Sequence, residues 1–457
     1  MAARRRFPLP ELSVALWTAL LAGLLVLGSD LLWAVALGDV IRDTGTVPHG
    51  IPFASAPQAN WHNPVALAQV LLSLVHAAGP TALAVLHLVV VAATLSVVVA
   101  ESRRLGGGDV RTTAVVALVV VGCAAAFGVV RFPDLSLLPF VLTGALLRRQ
   151  DAAPSRAIWW LVPLFALWGN LHGGVLVGVA VLAVFLVASR GGGTPARRAL
   201  VGAAAVLSLL ATSAGLGTPA YYLGVLGNEA AARGSDLWAA PNLGNALDLA
   251  MIGAAAVLVG MCVRRGLPLW EWLVTAGLVV ATLMTARNGI WLILFVAPAA
   301  AGLRRAGGNS DADDVTAPPV PRPRWWWPVV GAAAAGSLLV CAWQLDRRAE
   351  QVGPPGASVV ATVRAVADGR PVLADEPLAE TLAQAGLTVW AANPIDAFPR
   401  DIQGQFLDFL ADGRVPPAAS DVDVAVVRDD ALPELLARGG WVETARTGGY
   451  VVVTRQG

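Results

Sequence analysis

Long apolar runs separated by short polar turns occupy the first three quarters of the chain. They fall at approximately 12–28, 80–100, 112–130, 132–147, 157–169, 171–189, 199–215, 244–263, 268–286, 289–303 and 325–343. About 20 apolar residues in a helix cover the roughly 30 Å of a bilayer's hydrocarbon core. Runs of this length and number predict a mainly α fold, a polytopic transmembrane helical bundle of about 11 spans. The stretch 65–76 is also apolar, but Gln69 and His76 interrupt it and it is too short to cross. It is expected as an interfacial or re-entrant helix.

From about Gln344 the pattern becomes that of a small α/β unit. Helical 357–369 precedes an apolar strand at 371–375, and helical 378–386 leads to a strand at 387–392. A helix at 401–413 precedes a buried-strand pattern at 421–427. A last helix at 431–440 ends in glycines before a hairpin of WVETAR and YVVVTR. This alternation predicts a mostly parallel sheet with an antiparallel edge. No phosphate-cradling glycine motif opens any of these helices, so no nucleotide site is expected. The division is therefore 1–343, a transmembrane helical domain, and 344–457, an extracytoplasmic α/β domain.

Composition agrees with membrane spans: 56% of the 457 residues are hydrophobic and only 14% charged, with a mean hydropathy of +0.66. A net charge of +1 without a basic face gives no reason to expect a nucleic-acid partner. Cys123, Cys262 and Cys341 each fall inside an apolar segment and read as small buried hydrophobes. Every basic residue is arginine, and the arginines set the orientation. Eighteen fall in one set of loops and four, Arg42, Arg131, Arg233 and Arg287, in the opposite set. Positive loops stay inside, so the N-terminus is expected in the cytoplasm and the loop 29–64 outside. The first apolar segment lacks a small-x-small cleavage site and reads as an uncleaved span. The Pro-rich stretch 304–324 is a cytoplasmic linker, and eleven spans carry the C-terminal domain outside the plasma (inner) membrane.

The candidate chemistry gathers at the outer ends of the spans. Asp30 lies just beyond the first span, where partial desolvation suits a general base; it could equally be a solvated residue at the end of the span. Asp39 and Asp43 would share a helix face beside Arg42. His49 and His62 sit in a Pro-rich loop without metal-ligand spacing, so no cofactor is assigned and a divalent metal is left open. Asn170 and His172 occupy a turn, NLHGG, between two tightly joined spans, where polar groups facing lipid would be costly. They could line a cavity or cap the two helix ends. Arg131 and Arg287 each end a span, and a guanidinium fork matches a phosphate; snorkelling toward headgroups is the other reading. Asp236 and Trp238, in the loop 216–243, belong to a mixture of aromatic and charged groups that suits a sugar or an interfacial helix equally.

Several of these segments together resemble a family. SDLLWAVALGDVIRDTGTVPHGIPFASA is similar to the first outer loop of a group of bacterial multispan proteins. WGNLHGGVLVG, RFPDLSLLPFVLTGALLRR, GSDLWAAPN and LMTARNGIWLILFVAP resemble the group's other motifs. The group looks like the GT-C class of integral-membrane glycosyltransferases, which take a sugar from a polyprenyl-phosphate donor at the outer face. The resemblance implies that Asp30 is the base, that Arg131 and Arg287 hold the lipid phosphate, and that Asn170 and His172 line the cavity as donors. It also implies a polyprenyl-phosphate sugar donor and an envelope glycan, lipid or protein as acceptor. Asp39, His49, His62, Asp236 and Trp238 are secondary candidates. Two other readings stand beside this one: a membrane scaffold whose outer domain binds a partner, and a transporter or flippase. Transport would favour mid-span ionisable residues, of which His87 is the main example.

Overall fold

A computed structural model describes residues 7–456, apart from 80, 190, 192–193, 235–237, 303–322 and 438. Helix α1 (Leu9–Ala22) leads to a two-residue strand, β1 (Val26–Leu27), and through a short 3-10 turn to α2 (Leu32–Thr44). Helices α3 (Ala66–His76), α4 (Ala82–Arg104), α5 (Asp109–Gly122) and the single turn α6 (Ala124–Phe127) precede β2 (Val129–Val130). Next come α7 (Leu137–Ala152), α8 (Leu161–Leu171), α9 (Val175–Ala188) and α10 (Pro195–Ser208). Two short helices, α11 (Thr218–Leu226) and α12 (Glu229–Arg233), are followed by α13 (Ala246–Arg265), α14 (Leu269–Met284), α15 (Gly289–Ala301) and α16 (Trp326–Arg347). The remainder holds α17 (Val360–Ala367), β3 (Val372–Ala374), α18 (Leu378–Gln384), α19 (Arg400–Asp412), β4 (Val424–Arg428), α20 (Leu432–Ala437), β5 (Trp441–Thr447) and β6 (Tyr450–Arg455).

Each apolar run contains a helix. Among the described residues three of them, α4, α13 and α16, are by themselves long and apolar enough to cross a membrane. Their outer faces are apolar rather than polar: α16 exposes Trp327, Leu338, Leu339, Val340 and Trp343. Such a face is costly in water and suited to lipid. The run 112–130 is not one continuous helix. It breaks at Gly122 and Cys123, and its end is extended as β2, which pairs in parallel with β1. The stretch 65–76 does form a helix, α3, which packs on α2 and α4.

Ion pairs tie the bundle at one end. Arg103 bonds Glu11 and Asp109 at 2.9 and 2.8 Å, and the buried Arg148 bonds Glu271 at 3.1 Å. Helix α16 lies parallel to α1: Ser337, Cys341, Gln344 and Arg348 bond the carbonyls of Ala15, Thr18, Ala19 and Ala22 in that order. The chain therefore leaves α16 at the same end at which it leaves α1. The C-terminal unit and the loop 29–64 share that end.

The C-terminal sheet has the order β3-β4-β6-β5. Strands β3 and β4 are parallel, whereas β4–β6 and β5–β6 are antiparallel. The sheet is thus mixed rather than mostly parallel, because the hairpin inserts β6 between β4 and β5. Segment 387–392 forms no full strand. Val389 instead bridges Val372 on one side and Ala54 of the first loop on the other. Ser55 and Ala56 continue this contact by donating to the carbonyls of Val389 and Trp390, both at 2.9 Å. The buried apolar side chains run without a break from the bundle through this loop into the C-terminal unit.

Candidate functional site

The pairing of β1 with β2 builds the centre of the site. Leu27 opposes Val130, so the residues just beyond, Asp30 and Arg131, come side by side. Gly28 permits the approach: a Cβ there would lie 2.9 Å from both the Val130 carbonyl and Arg131 Cγ. Arg131 grips Asp30 in a fork, with Nη2 2.5 Å from Oδ2 and Nε 3.1 and 3.2 Å from Oδ2 and Oδ1. Both side chains are mostly buried, at 23% and 17% exposed. Burial alone would lower the Arg131 pKa, but the Asp30 charge reverses the shift and moves it up.

A second layer holds Arg131 from behind. Its backbone N–H donates to Asp134 Oδ2 at 2.7 Å, and the same carboxylate meets His87 Nδ1 at 2.8 Å. His87 Nε2 lies 3.0 Å from the Phe127 carbonyl, which can only accept, so Nε2 carries a proton. His87, the ionisable residue in mid-span, is thereby used on both ring nitrogens to fix the segment that carries Arg131.

His172 reaches the site through an aromatic row. Trp33 packs edge-on against Phe132, and Phe132 against His172, each at 5.3 Å between ring centres. The His172 backbone is extended at the end of α8, and its Nδ1 accepts from the Gly174 N–H at 2.9 Å. Ser136 Oγ, 3.0 Å from the same nitrogen, itself accepts from Trp168 Nε1 at 2.8 Å. With Nδ1 accepting, the remaining proton sits on Nε2. Burial first, then the charges of Arg287 and Arg131, push the His172 pKa down to about 3. It is a neutral hydrogen-bond donor at physiological pH. Gly174 is required here, since a Cβ would stand 2.8 Å from Ser136 Oγ and 3.0 Å from His172 Nδ1.

Arg287 completes the group. It sits in the turn between α14 and α15, with its guanidinium 4.1 Å from the Trp238 ring centre. No carboxylate pairs with it among the described residues. Its side chain is open to solvent, yet surrounding protein desolvates it. Burial, then the charge of Arg131, lowers its pKa, and Asp30 partly offsets both.

The other candidates lie elsewhere. Asn170 Nδ2 donates to the Ala166 and Ala211 carbonyls at 2.8 and 2.6 Å, tying α8 to the segment after α10. Asp39 accepts from Ser73 at 2.5 Å and lies 3.7 Å from Arg42, joining α2 to α3. His49 is exposed, and the His62 ring packs on the Gly217 backbone. Trp238 stacks on Arg287, while Asp236 lies outside the described residues, as do residues 304–322 of the linker. Among the described residues, no three His, Cys, Asp or Glu side chains cluster as a metal set.

A residue absent from the sequence reading enters from the C-terminal unit. Glu380, on α18, is wholly buried and close enough to Asp30 and Arg131 to interact electrostatically with both. Nothing in the local pattern of 378–386 marks it, because helix periodicity does not show what a helix will dock against.

No known protein family matches the chain, and no curated protein does. Among solved structures it is similar to the crystal structure of ArnT from Cupriavidus metallidurans bound to undecaprenyl phosphate. The TM-score is 0.54 at 15% sequence identity, over 97% of this chain and 97% of that one. A match at this identity is one of fold, and it extends over nearly the whole of both chains. The chain therefore has the fold of ArnT, and among its described residues three helices are long and apolar enough to cross a membrane.

Proposed function

We propose that this protein is an integral-membrane glycosyltransferase, transferring a sugar from a polyprenyl-phosphate donor to a cell-envelope acceptor on the outer face of the inner membrane. One observation carries the reading: an ion-paired carboxylate, an arginine that pairs with no carboxylate among the described residues, and a neutral histidine donor converge at one end of the helices. The bound lipid of ArnT supports a polyprenyl phosphate as the ligand. The excess of arginine at the opposite end supports an outward-facing site, and with it an extracytoplasmic C-terminal domain beyond about residue 344.

Arg287 and Arg131 receive the donor's phosphate. Their charge stabilises the leaving group as the bond from the sugar's anomeric carbon to the phosphate oxygen breaks. His172 donates through Nε2 to a phosphate or sugar oxygen. Asp30 takes the proton of the attacking acceptor hydroxyl, the new glycosidic bond forms, and polyprenyl phosphate departs. Arg131 pairs with Asp30 when the phosphate is absent. Drawing Arg131 onto the phosphate uncovers Asp30, so donor binding prepares the base. His87 does not favour the transport reading, because its ring is committed within the protein.

The test is transfer of radiolabelled sugar to envelope acceptors by membranes carrying Asp30→Asn. Transfer should be lost while the purified variant still binds undecaprenyl phosphate. An unchanged glycoconjugate profile would remove Asp30 as the base.

A further inference from the structure

Two carboxylates of the C-terminal unit share one amide. Asn393 Nδ2 lies 2.9 Å from Glu376 Oε1 and 2.5 Å from Glu380 Oε1. Glu380 is fully buried, and its Oε2 has no hydrogen-bond partner in good geometry. Helix α18 carries it onto α2 and onto the Ser29–Leu31 turn that holds Asp30. The charged groups facing it are Glu376 beside it, Asp30 from the turn after β1 and Arg131 from the segment after β2. The Trp33 backbone amide adds only a weak pull toward the charged form.

We propose that Glu380 is a positioning residue that acts through Arg131, deciding whether that guanidinium stays on Asp30 or turns to a phosphate. The inference rests on the lipid-phosphate reading above. A fully buried carboxylate such as Glu380, held beside a second one, does not ionise cheaply. Burial first, and then the charge of Glu376, raise the Glu380 pKa well above the usual carboxylate range; the Asn393 bond pulls it down and Asp30 pushes it further up. As a neutral acid, Glu380 leaves Asp30 as the carboxylate that a phosphate must displace from Arg131. Once ionised, it adds its charge to those of Asp30 and Asp134 already acting on the same guanidinium, and the phosphate competes with a more strongly held cation.

The experiment measures undecaprenyl phosphate binding to the purified full-length protein in detergent across neutral to alkaline pH, comparing wild type with Glu380→Gln. Glutamine keeps the shape and the acceptor for Asn393 but cannot ionise. Wild-type affinity should fall by about tenfold or more as pH rises, and the variant should stay nearly flat. Glu376→Gln provides an independent arm: removing that charge lets Glu380 ionise sooner, so the fall should begin at lower pH. A flat wild-type profile, or a Glu380→Gln profile that falls in parallel with wild type, overturns the role of Glu380 while leaving the lipid-phosphate reading in place. Failure of wild type to bind undecaprenyl phosphate at any pH overturns that reading, and this inference with it.

Discussion

Asp30 and Arg131 show what a single contact decides. In the sequence Asp30 is one carboxylate at the end of a span, and its nearest acidic neighbours in the same segment are Asp39 and Asp43. In the fold Asp39 is committed to Ser73 and Arg42, and the carboxylates near Asp30 are instead Asp134 and Glu380. Arg131→Ala would leave Asp30 mostly buried without its partner. The cost should be about 2 kcal/mol of stability, read as a lowered unfolding temperature in detergent. Arg287→Ala breaks no ion pair among the described residues and should change stability by less than about 0.5 kcal/mol, yet it should weaken undecaprenyl phosphate binding by about tenfold or more. His172 gives a pH dependence. Its folded pKa of about 3 lies below the unfolded value of 6.5, so the unfolded chain takes up the proton first. Its contribution is fully present above pH 6.5 and is lost as pH falls toward 3, at no more than about 1.4 kcal/mol per pH unit. Wild type should therefore lose unfolding temperature between pH 6.5 and pH 4.5 more steeply than His172→Gln.

At the scale of elements, two residues of strand on each side do more for the site than any helix. The parallel pair β1–β2 sets Leu27 against Val130, and this register fixes Asp30 beside Arg131. Both strands are the tails of apolar runs, and periodicity alone cannot tell such a tail from another turn of helix. Gly28→Val should push β1 from β2, because its Cβ would meet the Val130 carbonyl at 2.9 Å and Arg131 Cγ at the same distance. Overpacking of this kind costs about 1–3 kcal/mol. The variant should show both a lower unfolding temperature and reduced lipid-phosphate binding, whereas Gly45→Ala, which strains the left-handed end of α2 (φ 68°) but meets nothing within 4 Å, should lower the unfolding temperature without reducing binding. The NLHGG turn was legible as a special place, but the two polar residues part company in the fold. Asn170 ties helices together and His172 faces the arginines.

For the whole molecule, the parallel packing of α1 and α16 and the bridge from Ala54 to Val389 make the C-terminal unit part of the wall of the site. Ser55 and Ser420 are both exposed at this end, and the native cysteines are buried. Cysteines placed at 55 and 420 should react with an impermeant maleimide from outside intact cells. A cysteine at the exposed Ala153, between α7 and α8 at the other end, should react only after the membrane is opened. Labelling of 55 and 420 from opposite sides would contradict the packing, and labelling of both only from inside would reverse the orientation inferred from arginine.

The amino-acid sequence by itself determined where apolar helices form, at which ends the arginines collect, and that the tail alternates helix and strand before a terminal hairpin. These are local properties: hydropathy, period and turn chemistry act within a few residues of chain. The tertiary structure alone decided which polar groups meet. Asp30 and Arg131 are 101 residues apart, and Glu380 comes from the far side of the last long helix. Their meeting depends on strand register, on a glycine that lets two backbones approach, and on the docking of α18 against the turn that carries Asp30.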